Sequence, residues 1–155
     1  MMTPYFFDSS ALVKRYITER GTRWVATLTA PEAANSLLIA RITWVEILGA
    51  LARQQREGAI TAVQFMQAVQ SFRYDLDTQY QVVELTPDLA EYAGHLVRAH
   101  PLRAYDAIQL AAALRVQADL ARARATPLTF VCADERLLVV AQSEGLRVAN
   151  PNAHP

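Results

Sequence analysis

Cysteine and lysine are almost absent from this 155-residue chain. Cys132 is the only cysteine, which excludes a disulfide within the chain and is typical of a protein kept in a reducing compartment. It lies in the apolar segment "LTFVCA", so we expect it to be a small core residue. Lys14 is the only lysine, and arginine therefore carries nearly all of the positive charge.

The chain also lacks a net charge and a long apolar run. Its 15 basic and 15 acidic residues cancel, so any contact with nucleic acid has to come from local patches. Its most apolar stretch is interrupted by Arg41 and Glu46, well short of the roughly 20 residues that a membrane helix needs. No basic segment followed by an apolar run opens the sequence, and we therefore expect no signal peptide and a cytoplasmic location.

The apolar residues that are present, 52% of the chain, predict one globular domain over residues 1–149. Residues 150–155 are expected to form a short, loose tail. Short β-like runs alternate with helical ones, which indicates an α/β fold with a mostly parallel sheet covered on both faces. The five predicted strands are "PYFF", "SLLIA", "QVVEL", "LTFVCA" and "LRVAN".

Helix-capping residues indicate where helices begin and end between these strands. A helix is expected from about Ser9 to Ile17. A second, short helix is expected in "TRWVATL". Thr43 and Glu46 have the spacing of a capping box at the start of the next helix, which runs to about Glu57 and which Gly58 ends. Thr86, followed by a proline, begins another helix further along.

Two aspartates, Asp8 and Asp134, each end an apolar strand and begin a helix. Taken singly, each is more simply explained as a helix N-cap than as a ligand. In a parallel sheet, however, both lie at the same edge, beyond the carboxyl ends of the strands, where functional groups gather.

Two further acids stand among apolar neighbours, Glu46 in "ITWVEILGAL" and Asp106 in "LRAYDAIQLAAAL". The structural explanation for Glu46 is the capping box, and for Asp106 it is the favourable end of the helix dipole. If all four acids meet, their mutual repulsion requires protonation or a cation, because two carboxylates about 5 Å apart repel by roughly 3 kcal/mol.

An all-oxygen set of ligands favours Mg²⁺ or Mn²⁺ over zinc. The natural chemistry of such a site is hydrolysis of a phosphodiester, in which one metal ion activates water and a second stabilises the leaving oxygen. The cation also reverses the sign of the pocket, so a protein of zero net charge can act on RNA or DNA.

Four segments resemble, in order and spacing, the acidic motifs of PIN-domain ribonucleases, above all the VapC toxins of bacterial VapBC toxin–antitoxin pairs. They are "FFDSSALVK", "TWVEILGAL", "LRAYDAIQLAAAL" and "TFVCADERLL". The resemblance extends from Tyr5 to about Val148. It implies a three-layer α/β/α sandwich with a parallel sheet of about five strands, and a Mg²⁺- or Mn²⁺-dependent endonuclease acting on RNA.

The same resemblance implies roles for individual residues. The metal ligands would be Asp8, Glu46, Asp106 and Asp134. Ser10 matches a hydroxyl that orders the hydrogen bonds of the metal site, which leaves Ser9 as an ordinary helix-start residue. Arg103 resembles a basic residue that binds substrate phosphate or orients a carboxylate.

The resemblance further implies a small antitoxin as partner, and a homodimer.

Several alternative functions remain open at this point. A PIN-like domain can bind nucleic acid or protein without cutting it. A phosphatase with Asp8 as nucleophile usually has a second acid where this chain has Ser10. Dinucleotide binding lacks its glycines, since "DSSAL" follows the first strand. Glu135, His95 and His100 are expected to be surface or packing residues.

Overall fold

A five-stranded parallel sheet forms the centre of the computed structural model, which describes residues 2–155. The strand order is β3-β2-β1-β4-β5, and every neighbouring pair is parallel. The strands are β1 (Pro4–Phe7), β2 (Ser36–Ala40), β3 (Tyr80–Val83), β4 (Thr129–Val131) and β5 (Arg147–Ala149).

Seven α-helices connect and cover the strands. They are α1 (Ser9–Leu12), α2 (Thr22–Thr29), α3 (Thr43–Arg56), α4 (Ala62–Thr78), α5 (Pro87–Ala99), α6 (Ala104–Arg122) and α7 (Glu135–Ser143). None of the helices in residues 2–155 is long and apolar enough to cross a bilayer.

Strand residues alternate between two apolar cores, one on each face of the sheet. Phe6, Leu38 and Phe130 pack into the core beneath α5, α6 and α7. Their neighbours Phe7 and Leu37 face the opposite core, beneath α2, α3 and α4. Because side chains of a strand point alternately to its two faces, continuous apolar strands require helices on both sides. The three-layer α/β/α sandwich is therefore confirmed.

Two expectations about local structure are wrong. The helix expected from Ser9 to Ile17 is a single α-turn, α1, followed by a 3₁₀ turn over Val13–Arg15. Thr43 does not cap α3, because the backbone at Ile42 is already helical and no side chain caps the helix. Glu46 is therefore not part of a capping box, and its side chain can accept hydrogen bonds from other segments of the chain.

The C-terminal segment, expected to be loose, is packed against α2. Pro151 is buried in a 3₁₀ turn, and the ring of His154 stacks on Trp24 with the ring centroids 4.4 Å apart. Gly21, the N-cap of α2, has a φ of +89° and lies directly against Pro151. Apolar and ring contacts therefore fix a segment whose composition is typical of a loop.

Candidate active site

The carboxyl edge of the sheet carries a cleft of about 800 Å³ between β1, α3 and the start of α6. The connection from β1 leads to β2 on one side, whereas the connection from β3 crosses to β4 on the other side of β1, and such a reversal of strand order opens a crevice. All four acids singled out in the sequence line this cleft: Asp8, Glu46, Asp106 and Asp134.

Asp8 is held rigidly at the end of β1. Its backbone N–H donates to the carbonyl of Val131 on β4 (2.9 Å), and its side chain is only 3% exposed. The backbone N–H and the hydroxyl of Ser10 both donate to Oδ2 of Asp8, at 3.1 and 2.5 Å. The N-cap role is thus confirmed. Since these bonds all end on Oδ2, Oδ1 is the oxygen left for a cation.

Ser10 and Cys132 tie the two strand ends together. The Ser10 hydroxyl accepts a hydrogen bond from the N–H of Ala133 (3.0 Å) while it donates to Asp8. The thiol of Cys132 lies 3.6 Å from Oδ2 of Asp8 and accepts from the N–H of Asp134 (3.3 Å). Burial raises the pKa of this thiol, which keeps it a neutral donor. Cys132 is therefore a core residue that also contacts the acids.

Asp134 is the N-cap of α7. Its Oδ1 accepts hydrogen bonds from the backbone N–H of Arg136 (2.9 Å) and of Leu137 (3.5 Å). As in Asp8, one oxygen caps the helix and the other remains for a ligand. The neighbouring Glu135 points away from the cleft and accepts a hydrogen bond from Asn150.

Glu46 is oriented by two other segments. The side-chain amide of Gln109, on α6, donates to Oε1 of Glu46 (2.8 Å) and to the hydroxyl of Thr43 (2.9 Å). Ser9 also lines the cleft and, with Gln109, lowers the pKa of Glu46, so Ser9 is more than a helix-start residue. Gln109 is fully buried, and its Oε1 is the one buried side-chain polar atom without a partner in residues 2–155.

Asp106 lies in the first turn of α6, where it completes the acidic group. Burial raises its pKa first, and repulsion from Asp8 and Asp134 raises it further. Arg103 and Arg136 are close enough to lower it. Arg103 also lines the cleft, and its position is compatible with both roles expected from the sequence.

Three of the acids, Asp8, Glu46 and Asp106, raise one another's pKa values. Burial raises the pKa of Asp8 from 3.8 to about 6, with hydrogen bonds from Ser10 opposing the shift and repulsion from Glu46 adding to it. The pKa of Glu46 is raised by burial and, in a smaller part, by Asp106. Each of these shifts disfavours the charged form, which is what a nearby cation reverses.

The donor set fits a hard divalent cation. It consists of carboxylate oxygens, which Mg²⁺ and Mn²⁺ prefer. As the side chains stand, no group of three His, Cys, Asp or Glu residues in the described chain is arranged to hold an ion directly.

Several residues that line this cleft or support its acids were not predicted from the sequence. Gln109 sits three residues after Asp106 on the same face of α6, a spacing that could have drawn attention to it. The others give no motif and are recognised only from their place on the cleft wall: Gly49, Arg53, Arg56 and Tyr105. His100, expected to be a surface or packing residue, does not line the cleft. Its Nε2 lies 2.9 Å from Oε1 of Glu144.

The sequence matches a known domain family and two ribonucleases over most of its length. The PIN domain model matches residues 5–142. Ribonuclease VapC45 and Ribonuclease VapC49, both of Mycobacterium tuberculosis, are each 34% identical to the chain over 150 residues, which is 97% of this chain and 97% of each relative.

A solved structure shares the fold. A toxin–antitoxin complex from Klebsiella pneumoniae superposes with a TM-score of 0.59 and 22% identity, covering 95% of this chain and 97% of that one. Since the identity is low, this likeness concerns the arrangement of the strands and helices.

Proposed function

Because the chain belongs to the PIN domain family, we propose that it is a metal-dependent endoribonuclease that hydrolyses RNA phosphodiester bonds as the toxin of a toxin–antitoxin pair. One observation carries the proposal: carboxylates from four separate segments of the chain line a single cleft at the carboxyl edge of the sheet. The relatives that match over nearly the whole chain, both called ribonucleases, support the choice of RNA.

Members of this family generally use a divalent metal ion, and we assign Mg²⁺ or Mn²⁺ to this cleft. Asp8, Glu46, Asp106 and Asp134 would hold it. When bound, the cation would activate water and stabilise the charge that develops on the phosphate.

Other residues in and beside the cleft hold these acids in position or moderate their charge. Ser10 fixes the Asp8 carboxylate by donating to one of its oxygens. The buried Gln109 of α6 fixes Glu46 by donating to one of its oxygens. Arg103 moderates the negative charge at Asp106. It also lines the cleft, where it would bind a substrate phosphate. Positioned ligands need no rearrangement during the reaction, which favours catalysis.

The same assignment extends to partners and location. A cognate antitoxin protein would bind and silence the enzyme, and the Klebsiella structure that shares this fold is itself a toxin–antitoxin complex. We further propose that the chain forms a homodimer and acts in the cytoplasm. Co-expression with the product of an adjacent small open reading frame tests the partner, because it should suppress the RNA cleavage activity.

Cleavage of a labelled RNA by purified, antitoxin-free protein tests the enzyme. We expect cutting in Mg²⁺ or Mn²⁺, none in a chelator, and a loss of about 100-fold or more in Asp8→Asn, since metal assistance contributes several kcal/mol and about 1.4 kcal/mol is tenfold. The matched control is Glu135→Gln, an adjacent acid outside the cleft, which should cut normally. Cleavage that survives both the chelator and Asp8→Asn would refute the mechanism.

The alternative of a domain that binds without cutting predicts a different result. In that case wild-type protein would bind RNA but leave it intact in every metal, and it would take up no Mn²⁺. A calorimetric titration with MnCl₂ therefore separates the two functions without depending on the choice of RNA.

A further inference from the structure

Helix α3 forms one wall of the cleft, and the charge of its side chains changes from negative to positive along the helix. Glu46 stands at the end near the other acids, and Arg53 and Arg56 line the far end of the same cleft. Seven residues separate Glu46 from Arg53, which is two helical turns or about 10.5 Å along the axis. Both ends thus face the same space.

The two arginines carry positive charge that no acid in residues 2–155 neutralises. Both are exposed, and neither has an ion pair within that part of the chain. The one acid on the cleft wall besides the four of the site, Glu19, is paired with Lys14 at 3.2 Å. An anion lying over the last turns of α3 would therefore meet uncompensated positive charge.

Between these ends the helix presents small residues, Gly49 and Ala50. A Cβ added at Gly49 would meet no atom of the described chain within 4 Å, and the same holds for Gly94 on α5. What distinguishes Gly49 is its place on the cleft wall. The space that the missing side chain leaves open belongs to the cleft, where a ligand backbone can approach closely.

We propose that this face of α3 is a track for the RNA backbone on one side of the scissile bond. Gly49 and Ala50 admit the backbone at close contact, and Arg53 and Arg56 bind the phosphates beyond it. The proposal rests on the ribonuclease function. The cation that the four acids would hold attracts the scissile phosphate, and the phosphates beyond it gain free positive partners along this wall, which gives the strand a direction out of the site.

The double variant Arg53→Ala/Arg56→Ala tests the charged end. Its control is Arg98→Ala/Arg147→Ala, which removes equal charge from exposed positions outside the cleft. With single-stranded RNA we expect KM to rise about 10-fold or more with little change in kcat. The slope of log(kcat/KM) against log[salt] should become shallower by roughly 0.7 for each lost phosphate contact.

Substrate length separates phosphate binding from a structural role. RNAs are shortened stepwise on the 5′ side or on the 3′ side of the cut. The effect of the double variant should disappear when one of these sides is removed and persist when the other is. An equal effect on every substrate, or an unchanged salt slope, would overturn the proposal.

Gly49→Leu tests the close approach, with Gly94→Leu on α5 as its matched control. Gly94 is also helical, exposed and surrounded by open space. Both variants should fold and melt a few degrees higher, because leucine is the better helix former. Only Gly49→Leu should lose RNA cleavage, by about 10-fold or more; equal activity in the two variants would refute the track.

The outcomes distinguish the two levels of inference. If wild-type protein cuts no RNA, the ribonuclease function itself fails. If wild-type protein cuts RNA and the α3 variants behave as their controls do, the track alone fails. Weaker binding of a poly-glutamate peptide with unchanged RNA kinetics would assign the arginines to a protein partner and would also overturn the proposal.

Discussion

Gln109 on α6 donates a 2.8 Å hydrogen bond to Glu46 on α3, and so connects two walls of the acidic cleft through a fully buried amide. This bond favours the ionised form of Glu46, whose pKa burial otherwise raises. A buried amide with an unpartnered oxygen costs stability. The presence of Gln109 at this buried position is understandable if the Glu46 carboxylate that it fixes serves the metal site.

Gln109→Met should weaken metal binding without unfolding the protein. Loss of the donor raises the pKa of Glu46 further, so fewer molecules carry the charge that a cation needs. We expect a 10–100-fold lower Mn²⁺ affinity by calorimetry, as for other residues that orient ligands. The pH at which Mn²⁺ binding is half-maximal should move upward.

Thr43→Val is the control for this change, because it removes the other partner of Gln109 and leaves Glu46 bound. Thermal unfolding should place both variants near the wild-type protein, since methionine removes a buried unpaired oxygen together with the donor. Unchanged Mn²⁺ affinity in Gln109→Met would show that the bond has no role in the site.

Parts of this site could be predicted from the sequence because they follow from backbone geometry. Asp8 and Asp134 end parallel strands, and the carboxyl ends of parallel strands share an edge. Gln109 could not be predicted in this way, because its significance depends on the tertiary fold bringing its amide to Thr43 and Glu46 in the first turn of α3. The capping box expected at Glu46 was wrong for a local reason, since the backbone at Ile42 is already helical.

The metal-free protein should lose stability as the pH rises. The pKa of Asp8 is about 6 in the folded state against an ordinary value of 3.8, so the folded protein binds this proton more tightly than the unfolded chain does. Stability therefore falls as the pH passes from about 4 to 6. Between pH 5 and pH 7.5, we expect a loss of about 1–2 kcal/mol in the free energy of unfolding, measured by urea denaturation in a chelator.

Asp8→Asn should flatten this pH dependence, because the amide keeps the hydrogen-bond acceptor and removes the titration. Asp88→Asn, which removes an exposed acid from the first turn of α5, should leave it intact. Saturating Mn²⁺ should oppose the loss by binding the folded state above pH 6. A metal-free protein that became more stable between pH 5 and pH 7.5 would contradict the assignment.

Ser10→Ala should damage both stability and metal binding. It leaves the N–H of Ala133 without its acceptor and removes a donor from Asp8. We expect a loss of about 1–3 kcal/mol in the free energy of unfolding and a lower Mn²⁺ affinity. Ser71→Ala, at an exposed position of α4, should stay within about 0.5 kcal/mol of wild type. If the two variants behave alike, the bridge between the strand ends contributes nothing.

Gly21→Ala should destabilise the fold through the C-terminal segment. Gly21 has a φ of +89°, and an added Cβ would lie 2.6 Å from the carbonyl oxygen of Pro151. Gly58→Ala shares the positive φ without any such contact and isolates the backbone strain, about 1–2 kcal/mol. The cost of Gly21→Ala should exceed it by a further 1–3 kcal/mol because of the overlap.

A chain ending at Asn150 completes this test as a double-mutant cycle. Removing residues 151–155 should itself lower the melting temperature, since Pro151 is buried and His154 stacks on Trp24. In the shortened chain, Gly21→Ala should cost no more than Gly58→Ala, because the atom it overlaps is gone. An undiminished cost there would place the strain in the α2 turn alone. It would also mean that the last residues contribute less to the fold than their contacts indicate.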